Sequence, residues 1–116
     1  MNAEELFKIA EDTFKSCLDT MNKKNHDYSR GEDALRNFKM VEYVNLTDIQ
    51  TGVMVRLCDK FTRLSNLLHA EAAVKEESVN DTIDDSINYL VLLKACRKEK
   101  LNEEETKNTV IDSEIS

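Results

Sequence analysis

The sequence predicts an all-α, four-helix arrangement. The chain of 116 residues contains no proline and only two glycines, so it lacks the residues on which tight turns, hairpins and glycine-rich phosphate loops depend. β-Sandwiches, barrels, P-loop folds and Rossmann folds are therefore disfavoured. In three separate segments, apolar residues recur at intervals of three and four, the spacing that forms one stripe along a helix. The length is typical of one domain.

The first predicted helix covers residues 3–22. Residues 23–31 are polar, and we expect them to form a loop. Ser29 and Glu32 have the spacing of a capping box and predict a short second helix that ends near Tyr43. The apolar stripe of the first helix consists of Leu6, Ala10, Phe14, Cys17, Leu18 and Met21.

The third and fourth predicted helices also carry apolar stripes. Thr47 and Gln50 repeat the capping-box spacing and begin a helix of about 22 residues. Gly52 lies inside it, where glycine costs about 1 kcal/mol relative to alanine. It indicates either the close approach of another backbone or a ligand, or simple tolerance. The fourth helix is expected over residues 78–100. The stripes are Ile49, Val53, Leu57, Phe61, Leu64 and Leu68, then Val79, Ile83, Ile87, Leu90 and Leu93.

The composition changes near the end of the chain. Residues 102–116 hold five acidic side chains, one basic side chain and no helical stripe, so we predict a domain of residues 1–101 and an acidic flexible tail. The net charge of −7 disfavours direct binding to nucleic acid or to an anionic membrane, since both attract basic surfaces. No segment has the pattern of a signal peptide or a membrane span, so a cytoplasmic protein is expected.

Two further patterns concern burial. Cys17, Cys58 and Cys96 lie far apart among apolar neighbours, which predicts small buried side chains rather than disulfides or zinc ligands. Residues 89–93 are apolar on every side of the fourth helix. A single four-helix domain of this size cannot cover such a segment completely, so we expect at least a dimer with the third and fourth helices as an antiparallel central pair.

One side of the fourth helix is acidic. Glu77, Asp81 and Asp84 lie opposite the core stripe, with Asn88 beside them and Asp85 at the flank. Such a row is typical of a solvated face. It also runs into the apolar segment, where carboxylates suit Mg²⁺, an ion that takes one or two carboxylates together with water and substrate phosphates. Both interpretations remain open from the residues alone.

The third helix carries the complementary charges. Arg56, Asp59, Lys60 and Arg63 fall within one sector beside its core stripe. They predict either a ladder of ion pairs, with Asp59 bonded to Arg56 and Arg63, or a clamp for phosphate oxygens. The two alternatives carry equal weight, because three cations exceed what one acid needs for pairing.

The predicted first loop offers groups that could read a base. A base could stack on Tyr28 and hydrogen-bond with Asn25 or Asp27. Alternatively, Tyr28 packs on the fourth helix and Asp27 helps to cap the second. His26 is either an acid or base, or a surface residue.

Four ordered motifs support a family resemblance: K-N-H-D-Y at 24–28, N-F-K at 37–39, G-V-M-V-R-L-C-D-K-F-T-R-L at 52–64, and E-S-V-N-D-T-I-D-D at 77–85 with Asn88 and Tyr89. Together they resemble the nucleotide modification associated domain of type one, a small family common in bacteriophages. The resemblance covers roughly residues 20–97. It implies a helical fold and a role in the metabolism of modified nucleotides in a bacterial host.

The acidic helix is also similar to that of the all-α NTP pyrophosphatases, the MazG and dimeric dUTPase-like enzymes. Those enzymes hold Mg²⁺ between an E-x-x-E pair on one helix and an E-x-x-D pair on a later one. The likeness implies Asp81 and Glu77 as catalytic carboxylates. It implies metal ligands among Asp59, Glu77, Asp81, Asp84 and Asp85. The first acidic pair is missing from this chain, and fewer carboxylates weaken the activation of water by a metal.

Two functions are therefore expected. In the first, Arg56, Lys60 and Arg63 bind the phosphates of a nucleotide, Mg²⁺ bridges them to the acids, and a nucleoside or deoxynucleoside triphosphate is hydrolysed to monophosphate and pyrophosphate. In the alternative, a non-catalytic protein sequesters a nucleotide signal or regulates a partner, because a cationic clamp binds phosphate without a metal. A structural helical oligomer without a ligand is the third possibility.

Overall fold

The computed structural model describes the backbone of residues 1–29, 33–70 and 76–115, and the side chains within 1–25, 33–70 and 76–109. It contains four helices, α1 (Ala3–Ser29), α2 (Arg36–Tyr43), α3 (Ile49–His69) and α4 (Glu76–Ile115). No strand occurs in these ranges, so the all-α class and the four-helix arrangement are confirmed. Within the same ranges, none of the helices is long and apolar enough to cross a bilayer.

Helices α3 and α4 form the central pair and share the largest contact between elements. Near the start of α3, Gln50 meets Arg97 of α4, with 3.4 Å between Oε1 and Nη1. Further along α3, Lys60 meets the earlier Asp85, with 3.2 Å between Nζ and Oδ2. Since residue numbers rise on one helix as they fall on the other, the pair is antiparallel, as predicted.

The core lies where one side of α3 meets α4 and the start of α2. Val53 and Leu57 are 0% and 1% exposed, and burying one such side chain stabilises the fold by about 1.5–3 kcal/mol. Val53 clusters with Leu35, which precedes α2, and with Cys96 of α4. The partly buried residues around this cluster are Phe38, Ile49, Tyr89, Leu92 and Leu93.

Helix α1 is longer than predicted, because it ends at Ser29 rather than at residue 22. Residues 23–29 are polar but contain neither glycine nor proline, so nothing in them breaks a helix. The prediction of a loop is therefore wrong for these residues. Glu32 lies outside the described residues, but Ser29 is the last residue of α1 and α2 begins only at Arg36, after Leu35, so the capping box predicted to open the second helix is wrong.

The buried face of α1 also differs from the predicted stripe. Cys17 is buried, whereas Leu6, Phe14 and Leu18 are exposed. The apolar surface of α1 is wider than the single side that rests on α4, so its large side chains remain outside the contact. Among the cysteines, Cys17 and Cys96 are buried as predicted, but the prediction is wrong for Cys58, which is exposed.

The connection before α3 uses a cap one residue later than predicted. The carboxylate of Asp48 accepts hydrogen bonds from both the backbone N–H and the hydroxyl of Thr51, each at 2.8 Å. These bonds favour the charged carboxylate and lower the pKa of Asp48. Asn45 adopts a φ of 58° at the preceding turn, a left-handed conformation that asparagine tolerates.

Helix α4 continues to Ile115, beyond the predicted end near residue 100. Residues 101–109 are all exposed, so this part of α4 buries little surface against the rest of the fold. Glutamate and lysine favour helix locally, and no apolar stripe is required for that. The predicted absence of helix after residue 101 is therefore not what the structure has, while the flexibility of the tail stays a prediction.

Candidate functional site

The charged sector of α3 is built from four residues on successive turns. Arg56, Asp59, Lys60 and Arg63 lie on the side of the helix that faces α2 and the acidic part of α4, because Asp59 and Lys60 are each three or four residues from both arginines. They are all the aspartate, glutamate, lysine and arginine residues of α3. Three cations thus stand together in a chain whose net charge is −7.

Asp85 joins this sector to α1. Its Oδ2 lies 3.2 Å from Nζ of Lys60, and its Oδ1 lies 3.4 Å from Nζ of Lys24. The side chain of Asp85 is 22% exposed, so this carboxylate is partly desolvated between two ammonium groups. Lys24 therefore belongs to the site. The sequence signal for Lys24 was its place in the K-N-H-D-Y motif. The spacing of residues along the chain could not predict that α1 lies near α3.

The two arginines of the sector are accessible. The guanidinium of Arg56 lies 4.8 Å from the ring centroid of Phe38 on α2, and this ring in turn meets Tyr89 edge-on at 6.3 Å. A cation held over a ring keeps its N–H edges available for another acceptor. Arg63 is exposed and forms no ion pair with any residue that the structure describes.

The predicted ladder of ion pairs is absent from α3. Asp59 bonds neither Arg56 nor Arg63, although all three side chains belong to the described part of the chain. Lys60 is bonded to Asp85 of another helix instead. The ladder interpretation is therefore wrong, and the cations of this sector are not neutralised within their own helix.

The acidic side of α4 is largely a contact surface for α1. Asp84 accepts a hydrogen bond from Ser16, with 2.7 Å between Oδ2 and Oγ. The thiol of Cys17 donates to the backbone oxygen of Asp84 at 3.7 Å, and the amide of Asn88 donates to the backbone oxygen of Cys17 at 3.0 Å. This part of the row is thus neither a solvated face nor free for a metal.

The remaining predicted metal ligands do not gather around a common point. Glu77 and Asp81 are exposed on α4, Asp59 lies among the cations of α3, and Asp84 and Asp85 are engaged by α1 and by lysines. Over the described ranges, no three histidine, cysteine, aspartate or glutamate side chains form a group able to hold a metal ion.

The buried thiols near these acids are inert. Burial raises the pKa of Cys17, and the negative charge of Asp84 raises it further. Burial likewise raises the pKa of Cys96, with Glu99 as the next cause. Both thiols remain protonated at neutral pH, so they act as small packing groups rather than nucleophiles.

The predicted base-reading residues lie near the end of α1, not in a loop, because the helix runs through Ser29. Asn25 is exposed and follows Lys24 directly. The side chains of His26, Asp27 and Tyr28 fall outside the described residues. Their assignment to base binding stays a prediction, now placed beside the cation that Asp85 binds.

Comparison of the chain with protein families, with characterised proteins and with solved structures gives no match in any of the three. The resemblance to the nucleotide modification associated domain therefore rests on the four motifs alone.

Proposed function

We propose that the protein binds the phosphate groups of a nucleotide at the charged sector of α3. The observation that carries the proposal is an excess of cations in an acidic chain. Four cations, Arg56, Lys60, Arg63 and Lys24, accompany two carboxylates, Asp59 and Asp85. An anion is the ligand that balances this charge.

The cations are suited to different tasks. Arg56 and Arg63 lie seven residues apart on one side of α3, and each exposed guanidinium can donate two parallel hydrogen bonds to a phosphate. Lys60 is only 29% exposed and is positioned by Asp85, so it supplies a fixed point charge between them. A hydrogen bond to a charged group contributes about 1.5–3 kcal/mol, enough for three cations to hold a phosphate chain.

The motifs support a nucleotide as the source of the phosphate. Asp85 brings Lys24 toward Lys60, and Asn25, Asp27 and Tyr28 follow Lys24 in the chain. A base bound by those residues would lie next to phosphates bound by α3. The resemblance of the motifs to the nucleotide modification associated domain favours a modified nucleotide as the ligand, in the cytoplasm of a bacterial host. The resemblance of the acidic helix to the MazG enzymes favours an oligomer as the form that binds it.

Hydrolysis with Mg²⁺ is the second candidate, and it depends on Glu77 and Asp81. Both carboxylates are exposed and one turn apart on α4. Two carboxylates fit a Mg²⁺ ion that is held mainly by substrate phosphates and water. They do not fit an ion held by the protein alone, since Asp84 and Asp85 are engaged elsewhere. Binding without hydrolysis, as in sequestration or regulation of a partner, needs none of these acids.

The binding proposal is tested by calorimetric titration of the full chain with canonical and modified nucleoside triphosphates. We expect one or more of them to bind, and Arg63→Ala to weaken that binding at least tenfold, which corresponds to about 1.4 kcal/mol. The fold should not change, because Arg63 makes no ion pair with a described residue. Circular dichroism measures the fold.

Arg97→Ala is the matched control. Arg97 is an exposed arginine on α4, and it bonds Gln50 at the start of α3 rather than the charged sector. It should leave the affinity within twofold of the wild type. The proposal fails if no nucleotide binds, or if the two arginine variants lose affinity equally.

Chelation of divalent ions separates the two activities. Binding that persists in EDTA, with the nucleotide recovered unchanged, supports sequestration or regulation. Binding that requires Mg²⁺, together with the release of monophosphate and pyrophosphate, supports hydrolysis. In the second case Asp81→Asn should abolish product formation, and hydrolysis that survives this change would contradict the role of Asp81.

A further inference from the structure

We propose that a second copy of this chain packs on an uncovered apolar face of the α3–α4 pair. The face consists of Met54, Phe61 and Leu68 of α3 with Ile83 and Leu90 of α4. We refer to these five residues as the α3–α4 face. Their exposed fractions range from 37% for Ile83 to 63% for Leu68, so none of them belongs to the core of the single chain.

The five residues lie on one side of the helix pair. They recur at intervals of seven on each helix, close to two full turns. Gln50 lies one turn before Met54 and therefore on the same side of α3. Arg97 lies two turns after Leu90 and therefore on the same side of α4. Because Arg97 donates to Gln50 at 3.4 Å, the exposed side of α3 continues into the exposed side of α4.

The opposite side of the pair is already covered and charged. Helix α2 packs there, with Phe38 beneath Arg56, and Lys60 meets Asp85 along that edge. All charged residues of α3 other than His69 lie on that side, and residues 86–93 of α4 carry no charge at all. The α3–α4 face is therefore apolar and uncharged. It lies beside the core on two amphipathic helices whose apolar sides are wider than the core covers.

The chain exposes more surface than a compact monomer of its mass. The chain exposes 9277 Å², whereas a compact monomer of this mass exposes roughly 6,500 Å². A stable interface covers about 800 Å² of each partner. The uncovered end of α4 and the exposed apolar residues of the α3–α4 face both contribute to this excess, which is larger than the area of one interface.

A second copy fits this face better than an unrelated partner. A two-fold interface places the same patch on both subunits, and an apolar patch without charge is complementary to itself. Glu76 lies seven residues before Ile83, and Lys94 lies one turn after Leu90. The part of the face on α4 is therefore flanked by an acidic residue at one end and a basic residue at the other. In an antiparallel two-fold arrangement, Glu76 of one copy opposes the partner's Lys94.

Light scattering after size exclusion, at micromolar concentrations of the full chain, tests the proposal. We expect the wild type to show at least twice the chain mass of 13.4 kDa. Phe61→Lys on α3 and Leu90→Lys on α4 should each lower the mass to that of the monomer. Both side chains are about half exposed, at 51% and 45%, so neither change leaves a cavity in the core.

Phe14→Lys is the control, because Phe14 is 62% exposed on α1 and lies outside the α3–α4 face. It should leave the mass unchanged. A monomeric wild type overturns the proposal, as does an oligomer that survives Phe61→Lys and Leu90→Lys. Loss of the oligomer in Phe14→Lys would place the interface on α1 instead and would equally overturn it.

Cys58 provides a readout that needs no substitution. It is exposed in the single chain and lies one turn from both Met54 and Phe61, so a partner on the α3–α4 face would cover it. We expect its reaction with a thiol reagent to be at least tenfold slower in the native protein than in denaturant, although its side chain is exposed in the single chain. A native rate equal to the denatured rate overturns the proposal, whatever the nucleotide titrations show.

Discussion

Lys39 links two parts of the fold that the backbone does not connect directly. Its ammonium lies 2.5 Å from Oδ2 of Asp33, before α2, and 2.7 Å from Oε1 of Glu99 on α4. Asp33 also accepts the backbone N–H of Leu35 at 2.9 Å. The bond from Lys39 lowers the pKa of Asp33 below its ordinary 3.8, and the two carboxylates raise the pKa of Lys39 above 10.5.

These pKa shifts predict a defined pH dependence for Lys39→Met. Asp33 has the lower pKa in the folded state, so its bond to Lys39 stabilises above pH 3.8 and is lost as the pH falls further. Lys39 has the higher pKa in the folded state, so its contribution holds up to pH 10.5 and is lost above it. We expect the variant to be less stable by about 1 kcal/mol between these limits, because Asp33 is well exposed.

Urea unfolding of wild type and variant at pH 3 and pH 7 measures this difference, which should shrink at pH 3. Lys98→Met serves as the control, since Lys98 is exposed and forms no ion pair with a described residue. A difference between wild type and Lys39→Met that is the same at both pH values would contradict the role of Asp33.

At the scale of elements, α2 approaches α3 at Gly52. A Cβ atom added there would lie 3.0 Å from Cγ2 of Val41, which is tighter than ordinary contact. Another element therefore does come close at this glycine, but the approaching group is the Val41 side chain rather than the backbone or ligand that the sequence offered as one alternative. The absence of a side chain at Gly52 allows the two helices to lie close together, at the cost of lower helix propensity.

A double-mutant cycle over Gly52→Ala and Val41→Ala tests this contact. In the wild type, the gain of about 1 kcal/mol from alanine should be offset by the displacement of Val41. In the Val41→Ala background, where the crowding atom is gone, the full gain should appear. We expect a coupling of at least about 0.5 kcal/mol in the free energy of unfolding. Additive effects of the two changes would show that Val41 moves aside without cost.

The whole molecule is elongated because α4 extends beyond its partners. The radius of gyration is 18.4 Å, against roughly 13 Å for a compact chain of this length. The longest extent is 65 Å, close to the length of about 60 Å that α4 reaches at 1.5 Å per residue. Stability should therefore reside in the part of the chain before residue 102.

Removing residues 102–116 tests that conclusion. Residues 102–109 are exposed, so the melting temperature of the shortened chain should fall by less than about 4 °C, which corresponds to 0.5 kcal/mol in a domain of this size. The far-ultraviolet circular dichroism should lose only the signal of the removed turns. A larger fall in melting temperature would reveal a stabilising contact made by this segment.

The class of fold and the charged sector of α3 were both predictable from the sequence, because each depends on local properties. The three- and four-residue recurrence of apolar side chains determines a helix, and the spacing of Arg56, Lys60 and Arg63 determines that they share one side of it. The absence of proline and the scarcity of glycine exclude the turn-rich alternatives without reference to any contact.

Only the tertiary structure decided which apolar residues are buried and which acidic residues form ion pairs, because both depend on where another helix lies. Cys17 is buried while Phe14 and Phe61 are exposed, although all three belong to predicted stripes. Asp85 meets Lys24 from a distant part of the chain, which no local spacing encodes. A stripe limits which side of a helix can be buried, but the crossing of a neighbouring helix selects the few side chains on that side that lose their contact with water.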